Sequence, residues 1–167
     1  MTPRGFFLVA ILLLCASPVF GEESEPSAIL ELGGASEFSL KTHTASFGPS
    51  FGAEITPIED WLELEASVSP MFGPGGTEWQ TDFLFKKPFT LSDQVEFMAG
   101  VGPEWDHTVA GGRTTDSMSA EAALDFMFWP ERERRFGWYL EPSYGYSFRA
   151  GHEQSLAVSA GLLISIP

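Results

Sequence analysis

Three histidines, His43, His107 and His152, are the side chains of this sequence best suited to acid–base or metal chemistry. Asp106, Asp116 and Glu153 lie near them along the chain, and imidazole with carboxylate can hold zinc or another divalent metal. Their spacing matches no diagnostic ligand pattern, and a solvated loop histidine is the commoner case. A hydrolytic arrangement would pair His107 or His152 with the hydroxyl of Thr108 or Ser155 and the carboxylate of Glu104 or Glu141. The sequence has no GxSxG, no glycine-rich phosphate loop before a helix and no CxxC. We therefore expect no catalytic residue, no cofactor-binding residue, no metal ligand and no cofactor, and a chain that is not an enzyme.

The elements that would carry these residues are strands. Beyond residue 27 apolar side chains recur with a period of two, the spacing of a strand with one apolar face. At the end of the chain Leu156, Val158, Ala160, Leu162, Ile164 and Ile166 share one face. Ser155, Ala157, Ser159, Gly161 and Ser165 share the other, with Leu163 the lone exception. Similar stretches fall at about 28–35, 44–55, 61–72, 78–87, 94–106, 116–128, 137–149 and 154–166. Each runs about 8 to 13 residues, and a tilted membrane-crossing strand needs roughly 9–11. The connections near 57–60, 87–93 and 130–135 alternate with those near 36–43, 73–77, 107–115 and 150–153, so an up-and-down meander puts each set at its own end.

Ahead of the strands, Arg4, the apolar run 6–16 and the break at Ser17-Pro18 lead to Val19-Phe20-Gly21. That is the layout of a secretory signal peptide cut before Glu22, and the run is too short for a membrane-spanning helix. Cys15 belongs to this segment, so the exported part has no cysteine and no disulfide. The expected organisation is a signal peptide over 1–21, a short leader over 22–27 and a barrel domain over 28–167. Removing Arg4 leaves eight basic residues against 23 acidic, a net of −15, which argues against nucleic acid as a partner.

Which way the apolar faces turn decides the function class. They carry Phe47, Phe51 and Ile55, then Leu64, Val68 and Phe72, then Trp79, Phe83 and Phe85, and later Phe97, Val101, Trp105, Leu124, Leu140, Tyr144 and Phe148. The opposite faces are rich in glycine and serine: Gly48, Ser50 and Gly52, Ser67 and Ser69, Gly100 and Gly102, Ser117 and Ser119, Ser143 and Gly145. A surface facing bulk water has no reason to favour residues that weaken strands, whereas a narrow eight-stranded lumen admits only modest side-chain volume. Trp79, Phe85, Trp105, Phe128, Trp129, Trp138 and Phe148 gather near strand ends, where an interfacial girdle belongs. The fold expected is all-β, an eight-stranded antiparallel up-and-down transmembrane β-barrel. The alternative is a soluble periplasmic calyx of lipocalin type, with a greasy interior for an apolar ligand.

By the same parity the inward face carries twelve carboxylates: Glu31, Glu54, Glu63, Glu65, Glu78, Asp82, Glu96, Glu104, Asp106, Glu121, Asp125 and Glu141. Lys86 and Arg149 are the cations expected on that face, both near strand ends. Unpaired charge is costly in a dry interior. Either the lumen is hydrated and holds cations, or carboxylates near its middle, such as Glu65, Glu96 and Glu121, stay protonated. Pro49, Pro70, Pro103 and Pro142, each two residues before an aromatic, should mark bulges or strand ends, because proline cannot donate to a ladder.

The signal peptide, the eight alternating segments and the aromatic girdle together resemble the small eight-stranded outer-membrane proteins of OmpA/OmpX type. The resemblance spans the exported chain and rests on pattern, without a signature motif. It implies a porin-like cell-envelope protein of a Gram-negative outer membrane, in contact with outer-membrane lipids. It also implies help from the barrel-assembly machinery during biogenesis, a monomer, and a structural, adhesive or surface-interaction role. Such proteins commonly end in an aromatic residue, whereas this chain ends Ile164-Ser165-Ile166-Pro167. Some eight-stranded barrels are lipid A deacylases with a His-x-Ser motif, but His152-Glu153-Gln154-Ser155 misses that spacing by one residue. Amino-terminal sequencing of the exported protein should begin at Glu22; a start at Met1 would overturn the export reading.

Overall fold

The computed structural model describes residues 26–167, apart from 132 and 150; the expected signal peptide and most of the leader lie outside that range. Eight strands follow in order: β1 (Ala28–Ser39), β2 (Ala45–Ile58), β3 (Leu62–Gly73), β4 (Gly76–Ser92), β5 (Val95–Ala110), β6 (Arg113–Phe128), β7 (Phe136–Ser147) and β8 (Gln154–Ile166). Each pairs antiparallel with its sequence neighbour, and β8 pairs back to β1 from Ala28↔Ile166 to Ser39↔Ser155, closing the barrel. The strands are 12 to 17 residues long, longer than the alternation alone suggested, and the connections are correspondingly tight. Between β5 and β6 only Gly111 and Gly112 remain, both with positive φ, the backbone that a two-residue hairpin turn demands.

Both ends of the described chain sit together. The Ser27 hydroxyl donates to the carbonyls of Ile166 and Pro167, and the Ser165 amide donates to Arg135 in the β6–β7 connection. This terminal end also holds the β2–β3 and β4–β5 turns, and the other four connections form the far end. The two-set arrangement read from the sequence is therefore the one observed.

Alternation resolves into a lipid-facing exterior and a polar interior. Phe47, Phe51, Ile55, Phe72, Trp79, Phe85, Val101, Leu124, Leu140 and Leu162 are all exposed, Val101 at 61%. Glu31, Ser50, Glu54, Glu65, Ser69, Lys86, Ser119, Asp125 and Glu141 are buried. A calyx would have these faces exchanged, so the soluble alternative is overturned. Two aromatic bands border the apolar belt. Phe89 packs on Phe97, Phe97 on Phe126 and Phe128 on Trp138 toward the terminal end. Trp105 meets His107, and Tyr146 meets Phe148, toward the far end.

Two expectations need correction. Trp129 does not join a girdle: it turns inward and is 1% exposed. Nor do the four prolines mark bulges or strand ends; the register shifts lie at Ile55/Ile58 and Thr90/Ser92. Pro49 and Pro70 fall opposite each other, where the β2–β3 ladder passes directly from Phe47↔Phe72 to Phe51↔Val68. Pro103 and Pro142 likewise sit in short gaps, and the register is the same on both sides of each. A proline lacks a donor toward only one neighbour, so a long, closed ladder tolerates the local loss without slipping.

Arginine at Val101 or Leu140 should destabilise the folded barrel in lipid vesicles by about 2–4 kcal/mol near the midplane. Unfolding free energies unchanged by both substitutions would remove the lipid-facing assignment.

Candidate functional site

Glycine and serine keep the lumen open enough for longer side chains to fill it in layers. At the terminal end Ile29, Met98, Met127, Trp129, Tyr139 and Leu163 pack into one apolar cluster. Leu163, the exception to the β8 alternation, belongs here. Trp129 enters because its neighbour is glycine: a Cβ on Gly137 would lie 2.8 Å from the indole ring.

Above this plug Lys86 reaches inward from β4 and is 1% exposed. Its ammonium lies 2.6 Å from Glu141 and 3.0 Å from Asp125, and it contacts Glu65 and, at 3.7 Å, Glu54. One cation thus gathers carboxylates from β2, β3, β6 and β7, so its pairing ties together strands that are not neighbours. Glu31 and Glu63 are buried in the same part of the lumen. The sequence placed Lys86 on this face but near a strand end; β4 runs on to Ser92, and the side chain is wholly interior.

Toward the far end Asp82, Glu104 and Glu121 approach one another, and Ser67 donates to Asp82 at 2.8 Å. Beyond them the lumen widens into a cavity of about 450 Å³ lined by Glu37, Glu78, Glu104, Asp106, Arg149 and Glu153, among others. Glu37, missed by the parity count, accepts a hydrogen bond from Gln80. Thr108 donates to Glu78, and Ser117 and Ser119 both donate to Asp106. Lys41 bridges Glu153 at 2.9 Å, linking the β1–β2 and β7–β8 connections at the rim.

Several expectations about the interior change. Arg149 is exposed at the rim, whereas Arg134, from the β6–β7 connection, reaches in to Glu96 at 3.0 Å. Glu96 therefore belongs to the terminal end, not the middle. An arginine outside the strand pattern could not be assigned a face by parity.

The histidines fall at the far end, as their positions implied, but each has its own neighbour. The His107 Nδ1 lies 2.7 Å from Asp116, His152 Nδ1 lies 3.0 Å from the Tyr146 hydroxyl, and the His43 ring packs near Phe38. Among the described residues no histidine joins a cluster able to hold a metal; the two such clusters are wholly carboxylate. The hydrolytic arrangement is likewise not assembled. His107 points outward while Thr108 and Glu104 face the lumen, and Glu141 lies below at Lys86.

With this geometry in view, comparison with solved structures gives the fold. Neisserial surface protein A superposes with a TM-score of 0.65 at 13% identity, over 83% of this chain and 96% of that one. The amino-terminal barrel domain of Pseudomonas aeruginosa OprF gives 0.56 at 12% identity, over 84% and 100%. Ail, the attachment invasion locus protein of Yersinia pestis, gives 0.56 at 13% identity, over 84% and 100%. The chain has the fold of the small eight-stranded outer-membrane barrels. No protein-family model matches it, and no curated relative is found.

Replacing Lys86 with methionine should leave several buried carboxylates without their cation and cost about 3–5 kcal/mol. Adding Glu141→Gln and Asp125→Asn should recover part of that loss. Urea unfolding in detergent micelles measures both effects, and a Lys86→Met barrel as stable as the parent would remove Lys86 as the organising cation.

Proposed function

We propose that the chain is a non-conducting outer-membrane barrel that acts at the cell surface through its acidic far-end cavity, in a structural or surface-interaction role without an enzymatic step. The observation that carries this reading is the asymmetry of the lumen. One end is filled by the Ile29–Trp129–Leu163 cluster, and the other opens as a cavity lined by carboxylates and hydroxyls. Such an interior offers a binding face without a path across the membrane. Family practice puts the termini of these barrels in the periplasm, which turns the cavity to the outside.

The apolar belt makes outer-membrane lipids the surrounding partners, and the barrel-assembly machinery would insert the chain. A closed ladder leaves no strand edge for pairing with a second copy, which favours a monomer. One solved complex of Ail holds a heparin analogue, sucrose octasulfate. The cavity here has the opposite electrostatic preference, since Glu37, Glu78, Glu104, Asp106 and Glu153 outnumber Arg149 along its wall. A cationic or neutral ligand fits this charge and a polyanion does not.

Purified barrel in planar lipid bilayers should give no stepwise current. Sustained channel openings by the parent protein would overturn the plugged-lumen reading. Recovery of the protein in the periplasmic fraction, instead of a carbonate-resistant outer-membrane fraction, would overturn the location.

A further inference from the structure

We propose that a phospholipid of the leaflet at the terminal end docks on the outer face of β4–β6. Its phosphate sits on Lys87, and one acyl chain lies in the apolar groove beside it. The inference rests on the lipid-facing exterior and is independent of the acidic cavity.

Two alanines make the groove. Outward positions in this part of the barrel carry Phe85, Val101, Leu124 and Tyr144, but Ala99 and Ala122 interrupt them. Ala99 lies between Lys87 on β4 and Leu124 on β6, and Ala122 between Val101 on β5 and Tyr144 on β7. The missing side-chain volume leaves a groove of about 670 Å³, walled by Trp61, Phe85, Val101 and Leu124. A second groove of about 590 Å³ shares Val101 and Ala122 and continues the first past Pro103 and Ala120. From Ala99 to Pro103 a strand rises about 13 Å, close to the roughly 15 Å of hydrocarbon in one leaflet. The track therefore suits an extended chain from a single leaflet and not a compact ligand.

The second observation is a cation at the start of this track. Lys87 lies on the outer face, flanked along β4 by the exposed rings of Phe85 and Phe89. Its ammonium reaches toward the terminal-end aromatic band, 5.8 Å from the centre of the Phe89 ring, and donates to the backbone carbonyl of Asp60. An ammonium has three donors, so that contact leaves two. Among the described residues no carboxylate forms an ion pair with Lys87, in contrast to Lys86, which turns inward to several.

A lysine on the lipid face of a barrel costs free energy that rises with depth, so this charge gains from an anion at its own level. Beside the aromatic band the anion that a bilayer offers is the lipid phosphate, which accepts charge-assisted hydrogen bonds from an ammonium. Of the residues lining the groove, Lys87 alone brings a charge to the outer face. Trp61, exposed at the same end, is the amphipathic side chain that belongs at headgroup level. Headgroup contacts and tail contacts thus follow one another in the order a phospholipid presents them.

The test is native mass spectrometry of the full folded barrel, taken from detergent micelles doped with increasing dioleoylphosphatidylglycerol. The parent should hold one lipid per barrel. It should hold no dioleoylglycerol, which has the same tails without the phosphate. Lys87→Gln should raise the lipid concentration for half occupancy at least about ten-fold, the scale of one charge-assisted hydrogen bond. Ala122→Phe, which fills the groove from the outer face, should raise it by a similar factor. Ala160→Phe, at an exposed position on β8, should leave it unchanged. Lys87→Gln, a surface change, remains decisive if Ala122→Phe does not fold. The site is overturned if the parent holds no phospholipid, or holds the diacylglycerol equally well. It is also overturned if either variant folds and binds like the parent, or if the parent is a dimer that Ala122→Phe dissociates. A parent that inserts into vesicles but holds no lipid removes this site and leaves the lipid-facing assignment standing.

Discussion

Hydrocarbon offers no partner to a backbone N–H or C=O, so a strand-built chain that crosses it must satisfy its peptide groups by closing on itself. Closure with eight strands then fixes almost everything else. It makes the lumen narrow, so that β2 needs Gly48, Ser50 and Gly52 on its inner face and β7 needs Ser143 and Gly145. It forces strict alternation, because a one-residue slip anywhere would turn carboxylates to lipid. It also leaves no edge through which register could drift. The four prolines show how strong this constraint is: each interrupts a ladder locally, yet the register is identical on both sides of the gap.

A lumen so narrow cannot be solvated like a protein surface, and its charge has to be managed in layers. The lowest layer avoids charge altogether with the Trp129 cluster. The next concentrates carboxylates around one buried ammonium, an arrangement in which removing the cation is far worse than never having had the charges. Nearer the far end the carboxylates lose access to Lys86 and rely on hydroxyls from Ser67, Thr108, Ser117 and Ser119. Acid density thus persists beyond the reach of Lys86.

Much of the fold was legible because period-two alternation is a local signal. Strand number, the outward aromatic faces, the glycine–serine interior and the two sets of turns all follow from residue type and parity. What parity could not supply was anything set by inter-strand register or by residues outside strands. Trp129 continues the inward parity of Asp125 and Met127 just past the end of β6, and only its residue type had put it in the girdle. Arg134 reaches Glu96 from a connection, and Glu37 lay beyond the expected end of β1. Leu163 looked like an error in pattern and is instead a member of the plug. The meeting of Asp82, Glu104 and Glu121 is invisible in sequence, since they are separated by 22 and 17 positions and converge only through the pairing of three strands. Histidine drew notice by its chemistry, but its three copies sit on separate neighbours at the rim.

The far end has short connections, the longest being 148–153, and so lacks the projecting loops with which a barrel could grip a large partner. Under the proposed surface role, recognition would use the rim and the inside of the mouth. The rim is tied across the β8–β1 closure by Lys41 and Glu153 and offers cations of its own at Arg113 and Arg149, while the mouth is acidic. A ligand that enters must shed water against carboxylates spaced a few ångströms apart, which is favourable for a compact positive charge and costly for an anion. Because the walls are strands locked by closure, the backbone cannot widen to separate these carboxylates. The rigidity that membrane insertion demands of the backbone therefore also fixes the strands that carry the mouth's carboxylates.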